Sequence, residues 1–123
     1  MSNNMFNTAD AVVVGLINGR HPLPVSEYIF ESIENVHDYE AICNTIWTFV
    51  QTRVGVDKAV GVGLNQADYT DIQVYRGKRA LVVYVTGLTP VTAALVSICL
   101  RNGVSLTLMN YDTASQSYIP QYV

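Results

Sequence analysis

Three short, nearly continuous apolar runs stand out along this chain. They are Ala11–Ile17, Ala80–Val85 and Val104–Met109, and all three are rich in branched aliphatic residues. Runs of this length and composition are typical of strands buried in a sheet. Asn18-Gly19 has turn chemistry and would end the first of them.

Two other stretches carry apolar residues at helical spacing. Asp38 is a suitable cap for a helix that runs to about Arg53, and Val91–Arg101 predicts a second, more apolar helix. Arg53 would then lie near the negative end of the helix dipole, where a cation is favoured. The periodic positions of the first helix are Ala41, Ile42, Thr45, Ile46, Phe49 and Val50.

The C-terminal third of the chain joins two of the strands through the second helix. Thr86–Pro90 reads as a turn in which Thr89 is a good N-cap and Pro90 a good first helical residue. Gly103 suits the left-handed position that closes a helix. A strand, a helix and a strand in this order form a crossover, so we expect parallel strands.

The middle of the chain predicts further strands. Val54–Leu64 alternates valine with glycine and predicts a strand with a bend, and Asn65–Thr70 is a polar loop. Arg76-Gly77-Lys78 predicts a hairpin turn between the strand-like segments Ile72–Tyr75 and Arg79–Val85.

Two segments are less regular. Ser26–Ile33 fits no single period and can be helix or strand. As a helix it would place three carboxylates on one solvated face, at Glu27, Glu31 and Glu34. Tyr118–Val123 can add an edge strand after a turn at Asp112–Ser117.

These elements predict an α/β fold with a small mixed sheet, a C-terminal strand–helix–strand crossover and one or two further helices. A chain of 123 residues fits a single domain, residues 1–123. Apolar residues make up 50% of it and charged residues only 14%. A small domain cannot bury so much apolar surface alone, so we expect a homo-oligomer, a dimer or higher.

The net charge and the N-terminal residues indicate which kinds of partner and which cell compartment to expect. The net charge of −3 argues against binding long nucleic acid, which needs a basic footprint. No apolar run approaches the roughly 20 residues of a membrane-spanning helix, and the polar N-terminus lacks a signal-peptide pattern. We therefore expect no membrane association and a cytoplasmic protein whose cysteines, Cys43 and Cys99, are free thiols.

The turn Thr86–Thr89 is the first candidate for chemistry. It follows the carboxyl end of a parallel strand and precedes a helix, where backbone N–H groups and the helix dipole favour an anion. Thr86 and Thr89 add hydroxyl groups, and Gly87 lets a ligand approach the backbone. The alternative is that Thr89 and Pro90 simply start the helix.

Side chains elsewhere could complete such a site. Arg20 and His21 follow the first strand, and a guanidinium pairs well with phosphate, although both residues also suit a solvated loop. Arg101 either complements a helix dipole or contacts a ligand, across a subunit interface in one arrangement. Tyrosines can stack on a base or pack in the core or an interface, and the candidates are Tyr84, Tyr111 and Tyr118.

Enzymatic signatures are missing. Gly61-Val62-Gly63 lacks the third glycine of a dinucleotide fingerprint, and there is no Walker lysine motif, nucleophile elbow or metal-ligand spacing. We expect no cofactor, no metal and no catalytic residue. Two alternatives stay open: a small nucleotide-cleaving enzyme that uses His21 or His37, and a structural or interaction subunit without a ligand.

The segment Tyr84–Gln121 resembles the first-described family of phage anti-defence proteins that inhibit the bacterial immune system Thoeris. These proteins are called sponges because they bind the immune signal, and the N-terminal segment Asn18–Pro24 resembles them as well. The resemblance covers about half the chain. It implies a homo-oligomer that sequesters cyclic ADP-ribose isomers, the immune signals of bacterial TIR-domain enzymes, without cleaving them. It also implies that cyclic oligonucleotides can be held in separate pockets.

Overall fold

The computed structural model describes residues 10–20, 22–61 and 72–123. A five-stranded sheet has the order β2-β1-β5-β6-β7, and a separate two-stranded ribbon pairs β3 with β4. Strands β1, β2, β5 and β6 are parallel, and β7 is antiparallel to β6. The elements are β1 Val12–Ile17, β2 Tyr28–Phe30, α1 Tyr39–Phe49, β3 Val56–Gly61, β4 Ile72–Gly77, β5 Leu81–Tyr84, α2 Thr89–Arg101, β6 Leu106–Asp112 and β7 Ser117–Tyr122.

This architecture confirms the predicted small α/β fold and the parallel C-terminal crossover. The Ser26–Ile33 segment forms a short strand, β2, so the prediction that its three glutamates share a helix face is wrong. Glu27 instead pairs with Arg53, and Glu31 accepts a hydrogen bond from the Asn18 amide. The Asn65–Thr70 loop lies outside the described residues.

One face of the sheet packs against both helices. Alternate strand residues such as Val14, Val83 and Leu108 point to this side and are buried. They share one apolar cluster with Ile46 of α1 and Leu95 of α2. The core therefore lies between the sheet and the helix layer, and it fixes where the ends of α2 meet the strands.

The opposite face of the sheet is less covered. Val13 is 46% exposed and Tyr122 is 78% exposed, although both belong to strands. Val82 and Thr107 lie between them in the register and are half-buried. No helix packs on this side among the described residues, since α1 and α2 both contribute to the core of the other face.

The first helix is held by side chains at both ends. Asp38 is its N-cap and accepts a hydrogen bond from the Ala41 N–H, as predicted. A π-helical turn, Val50–Val54, continues the helix to about the predicted end. Arg53 in this turn donates two hydrogen bonds to Glu27, at 2.6 and 2.7 Å, which ties the end of the helix to the start of β2.

The predicted hairpin between β4 and β5 is wrong. β4 pairs antiparallel with β3, with Val56 opposite Gly77. β5 is flanked by β1 and β6, so neither of its edges is free for β4. The chain instead passes close to the end of α2, where Gly77 N–H donates to Gly103 C=O.

The end of α2 is closed as predicted. Gly103 has φ +63, and a side chain there would collide with the Tyr75 carbonyl oxygen. Val104 N–H donates to Cys99 C=O, which closes the last turn before β6. Both cysteines are free thiols, and burial raises the pKa of the Cys99 thiol to about 12.

Candidate functional site

A cleft of about 590 Å³ opens where β5 ends and α2 begins. The loop after β5 forms its base, and the first turns of α2 form one wall. The other wall is formed by Leu108, Asn110 and Tyr111 of β6 and by Gln121 of β7. Because the carboxyl ends of parallel strands meet at this edge, the cleft occupies the usual ligand position of an α/β sheet. Its lining residues are Val85, Thr86, Gly87, Thr89, Thr92, Ala93, Val96, Leu108, Asn110, Tyr111 and Gln121.

Thr86 lines this cleft and has a hydroxyl group without a hydrogen-bond partner among the described residues. The residue is only 8% exposed, and its Oγ1 atom is buried without a hydrogen-bond partner among the described residues. Leaving a buried polar group unpaired costs about 1–3 kcal/mol, so such groups are rare in native proteins. An unpaired hydroxyl beneath the surface of a cleft is a feature expected of a site that accepts a polar ligand.

The start of α2 is also free of a capping side chain. Leu88 is the N-cap, and Thr89 and Pro90 are the first two helical residues. The prediction that Thr89 caps the helix is therefore wrong by one position. Thr89 instead lines the cleft, and the positive end of the helix dipole has no side-chain cap.

The loop before α2 is shaped for close approach to its backbone. Gly87 has φ +83, a conformation that favours glycine, and nothing lies within 4 Å of where a Cβ atom would stand. The residue is exposed and lines the cleft. This part of the predicted site, Thr86, Gly87 and Thr89, is brought together by the fold.

The other predicted residues are distributed differently. Tyr111 lines the cleft, whereas Tyr84, Arg20 and Arg101 are not among its lining residues. Arg20 is exposed on the turn after β1, and Arg101 is exposed at the opposite end of α2, where Nε donates to Ser97 C=O at 3.4 Å. His21 lies outside the described residues.

Tyr84 belongs to a tyrosine cluster beside the cleft. Its ring meets that of Tyr118 edge to face, with centroids 4.8 Å apart, and Tyr118 meets Tyr111 at 5.2 Å. Burial raises the pKa of Tyr118, and its two tyrosine neighbours raise it further. Tyr111 is 49% exposed, and strand alternation places its side chain on the sheet face opposite to that of Asn110.

An amide pair on the strand wall was not predicted from the sequence. Asn110 Nδ2 donates to Gln121 Oε1 at 2.9 Å, and both residues line the cleft. Asn110 continues the alternating row of Leu106 and Leu108 on the helix side of β6. The sequence did carry a signal for this residue, because Asn110 is polar at a position where the alternation would place another buried leucine. Gln121 had no signal, because only the β6–β7 register brings it here.

The described lining carries no aspartate, glutamate, histidine, lysine, arginine or cysteine. Its polar residues are three threonines, Asn110, Gln121 and Tyr111. Ala93, Val96 and Leu108 supply an apolar surface between them. Across the described part of the chain, no group of three His, Cys, Asp or Glu residues could hold a metal ion.

Comparison with family models, with curated proteins and with solved structures finds no match for this chain. The resemblance to the Thoeris-inhibiting sponges therefore stays a prediction. Within the described residues, no helix is both long enough and apolar enough to cross a membrane.

Proposed function

We propose that this protein binds a small nucleotide and sequesters it, and that the ligand is a cyclic ADP-ribose isomer. The observation that carries the proposal is the uncapped start of α2 at this cleft, beside which the Thr86 hydroxyl is buried without a partner among the described residues. Phosphate oxygens accept hydrogen bonds from hydroxyl and backbone N–H groups, and a helix N-terminus favours their charge.

The polar groups of the cleft suit binding more than catalysis. General acid–base chemistry uses histidine, carboxylates, lysine, tyrosine or cysteine held near the reacting atoms. Among the described lining residues only Tyr111 is of these types, and its ring packs against that of Tyr118. The Cys99 thiol is fully buried with a pKa of about 12, so it is protonated at neutral pH. A protein that retains its ligand unchanged needs no such group.

The proposal includes a homo-oligomer in the bacterial cytoplasm that acts as a phage anti-defence protein against Thoeris. The strand residues on the open sheet face, among them Val13, Tyr111 and Tyr122, are exposed and uncharged, which supports self-association. In an oligomer, Arg20 or Arg101 of a neighbouring copy could supply the cation that the described lining lacks. Light scattering after gel filtration should give a molar mass of at least twice 13.6 kDa.

The direct test is retention of the ligand. The purified protein is incubated with cyclic ADP-ribose isomers, separated from free ligand and heat-denatured, and the released compound is analysed by chromatography and mass spectrometry. We expect intact ligand in stoichiometric amount. A converted product would indicate an enzyme and direct attention to His21 and His37. If no isomer is retained, the proposal is wrong.

Thr86→Val tests the carrying observation, because it replaces the hydroxyl with a methyl group of similar shape. Removing an unpaired buried hydroxyl should raise the free energy of unfolding of the ligand-free protein by about 1 kcal/mol and weaken ligand binding roughly tenfold. Thr107→Val is the matched control, since Thr107 is half-buried on β6 but points to the opposite face of the sheet. Unchanged binding by Thr86→Val would contradict the assignment.

A further inference from the structure

The mutual hydrogen bond of Asn110 and Gln121 leaves part of each amide unused, and both residues line the cleft. Their mutual bond uses one N–H of Asn110 and one lone pair of Gln121. The carbonyl oxygen of Asn110 and the NH₂ group of Gln121 take no part in this bond. Exchanging the oxygen and nitrogen of both amides would reverse the bond but leave the same pair, one acceptor beside one donor.

The surface next to the pair is apolar. Ala93 and Val96 lie on the first two turns of α2, and Leu108 lies on β6 next to Gln121 in the register. From Thr89 to Val96 the helix rises roughly 10 Å. The cleft thus has two polar ends, Thr86 with the start of α2 and the amide pair, joined by an apolar surface.

This layout matches the layout of a nucleotide. Phosphates are charged acceptors, whereas a nucleobase has a flat apolar face and an edge with a donor and an acceptor side by side. Amide side chains pair with such an edge, as asparagine and glutamine do with adenine. Aliphatic side chains provide a surface for the ring.

We infer that Asn110 and Gln121 determine base specificity by hydrogen bonding to an amino group and an adjacent ring nitrogen of the ligand's nucleobase. The inference rests on the proposed function and adds the part of the ligand that the amide pair contacts. The mutual bond holds both side chains in place before binding, so less rotamer entropy is lost when the base arrives.

The test compares two probes that differ by one group. Adenosine 5′-diphosphate carries the exocyclic amine, and purine riboside 5′-diphosphate has hydrogen in its place. Dissociation constants are measured by calorimetry. The wild-type protein should bind the first about tenfold more tightly, because the second leaves an amide carbonyl unpaired.

In Asn110→Leu the preference should fall to less than twofold, with the loss confined to the amine-bearing probe. Gln121→Met should instead weaken binding of both probes, because both carry the ring nitrogen to which the Gln121 NH₂ group would donate. Asn44→Leu and Gln51→Met are matched controls, because both residues are exposed on the first helical segment and neither lines the cleft. They should keep the tenfold preference. Thermal unfolding of all four variants confirms that they are folded.

The outcomes separate the two proposals. Equal binding of both probes by the wild-type protein, with binding still weakened by Thr86→Val, overturns the inference and leaves the proposed function intact. Retention of a cyclic ADP-ribose isomer without binding of adenosine 5′-diphosphate also overturns it, because this probe carries the same base and diphosphate. Retention of none of these compounds overturns both.

Discussion

The two helices of this protein begin in different ways. α1 starts with Asp38, whose carboxylate accepts a hydrogen bond from the Ala41 N–H. α2 starts with Leu88, which has no side-chain cap, and a buried hydroxyl without a partner lies two residues earlier at Thr86. At the start of α1, a side chain of the protein itself accepts a hydrogen bond from a free backbone N–H group. The start of α2 has no side-chain acceptor among the described residues, and the cleft lies there.

The comparison extends to the helix ends. The segment that continues α1 is fixed by the paired hydrogen bonds from Arg53 to Glu27, and α2 is closed by Gly103 and the bond from Val104 N–H. Three of the four ends are thus held by groups of the chain. The fourth end is the candidate ligand site.

The largest effect is expected from a negative charge at the open start. Thr89→Glu should weaken binding of the cyclic ADP-ribose isomer roughly 100-fold, because a carboxylate would stand beside the ligand's phosphates. The same change should stabilise the ligand-free protein by about 0.3–1 kcal/mol, since an acidic residue favours the first turn of a helix. Thr89→Gln, of similar size and neutral, separates charge from bulk. Equal binding by the two variants would mean that no anion lies at this helix start.

Two glycines in similar turns allow the turn at the cleft to be compared with a turn that does not line it. Gly87 after β5 and Gly19 after β1 have φ +83 and +88, and neither has an atom within 4 Å of a Cβ position. Alanine at either site should cost about 1 kcal/mol of stability through backbone strain. Only Gly87→Ala should also weaken binding, by roughly tenfold, because its methyl group would stand in the cleft. Chemical unfolding and calorimetry measure both quantities, and equal binding losses would indicate a general effect of the sheet edge.

At the closed start of α1, the effect should be on stability alone. Asp38→Ala should lower the free energy of unfolding by about 1 kcal/mol through loss of the N-cap. Asp38→Asn should retain most of that stability, because asparagine caps as well as aspartate does. Neither variant should change ligand binding. A binding defect in a folded Asp38 variant would show that the two helix starts are not independent.

The smallest effect concerns the bond that ties the end of α1 to β2. The hydrogen bond from Arg53, above all, lowers the pKa of Glu27 from its ordinary value of 4.5. The stabilising contribution is therefore present above about pH 4.5 and is lost as the pH falls through the lower folded-state pKa. Glu27→Gln should cost less than about 1 kcal/mol at pH 7, since the pair is partly exposed.

The measurement is urea unfolding at pH 7 and pH 3. The wild-type protein should lose part of its advantage over Glu27→Gln between the two values. If the difference between the two proteins is the same at both, the ion pair is not what holds the end of the helix.

Much of the fold could be predicted because it depends on local patterns. The branched aliphatic runs predicted β1, β5 and most of β6, and Asp38 predicted the start of α1. The order of strand, helix and strand predicted a parallel crossover through chirality and chain length alone. The wrong hairpin has a physical reason. Turn chemistry at Gly77 is local, but the choice of partner for β4 depended on β5 having both edges occupied.

The candidate site was predicted in part for the same reason. Thr86, Gly87 and Thr89 are neighbours in sequence, so a turn pattern predicted them together. Tyr111 lines the cleft, but its partner Tyr118 and the amides of Asn110 and Gln121 come together through antiparallel pairing of β6 and β7. Arg20 and Arg101 were assigned by side-chain chemistry, and the fold places both away from the described lining.

The sequence by itself determined the α/β class, the parallel crossover and the turn that starts α2, because each depends on residues close together in the chain. Only the tertiary structure decided that Thr86 is buried without a partner, that Asn110 bonds to Gln121 and that Glu27 bonds to Arg53. Burial and hydrogen-bond pairing depend on which atoms surround a side chain. In each of these cases the surrounding atoms come from segments that are distant in sequence.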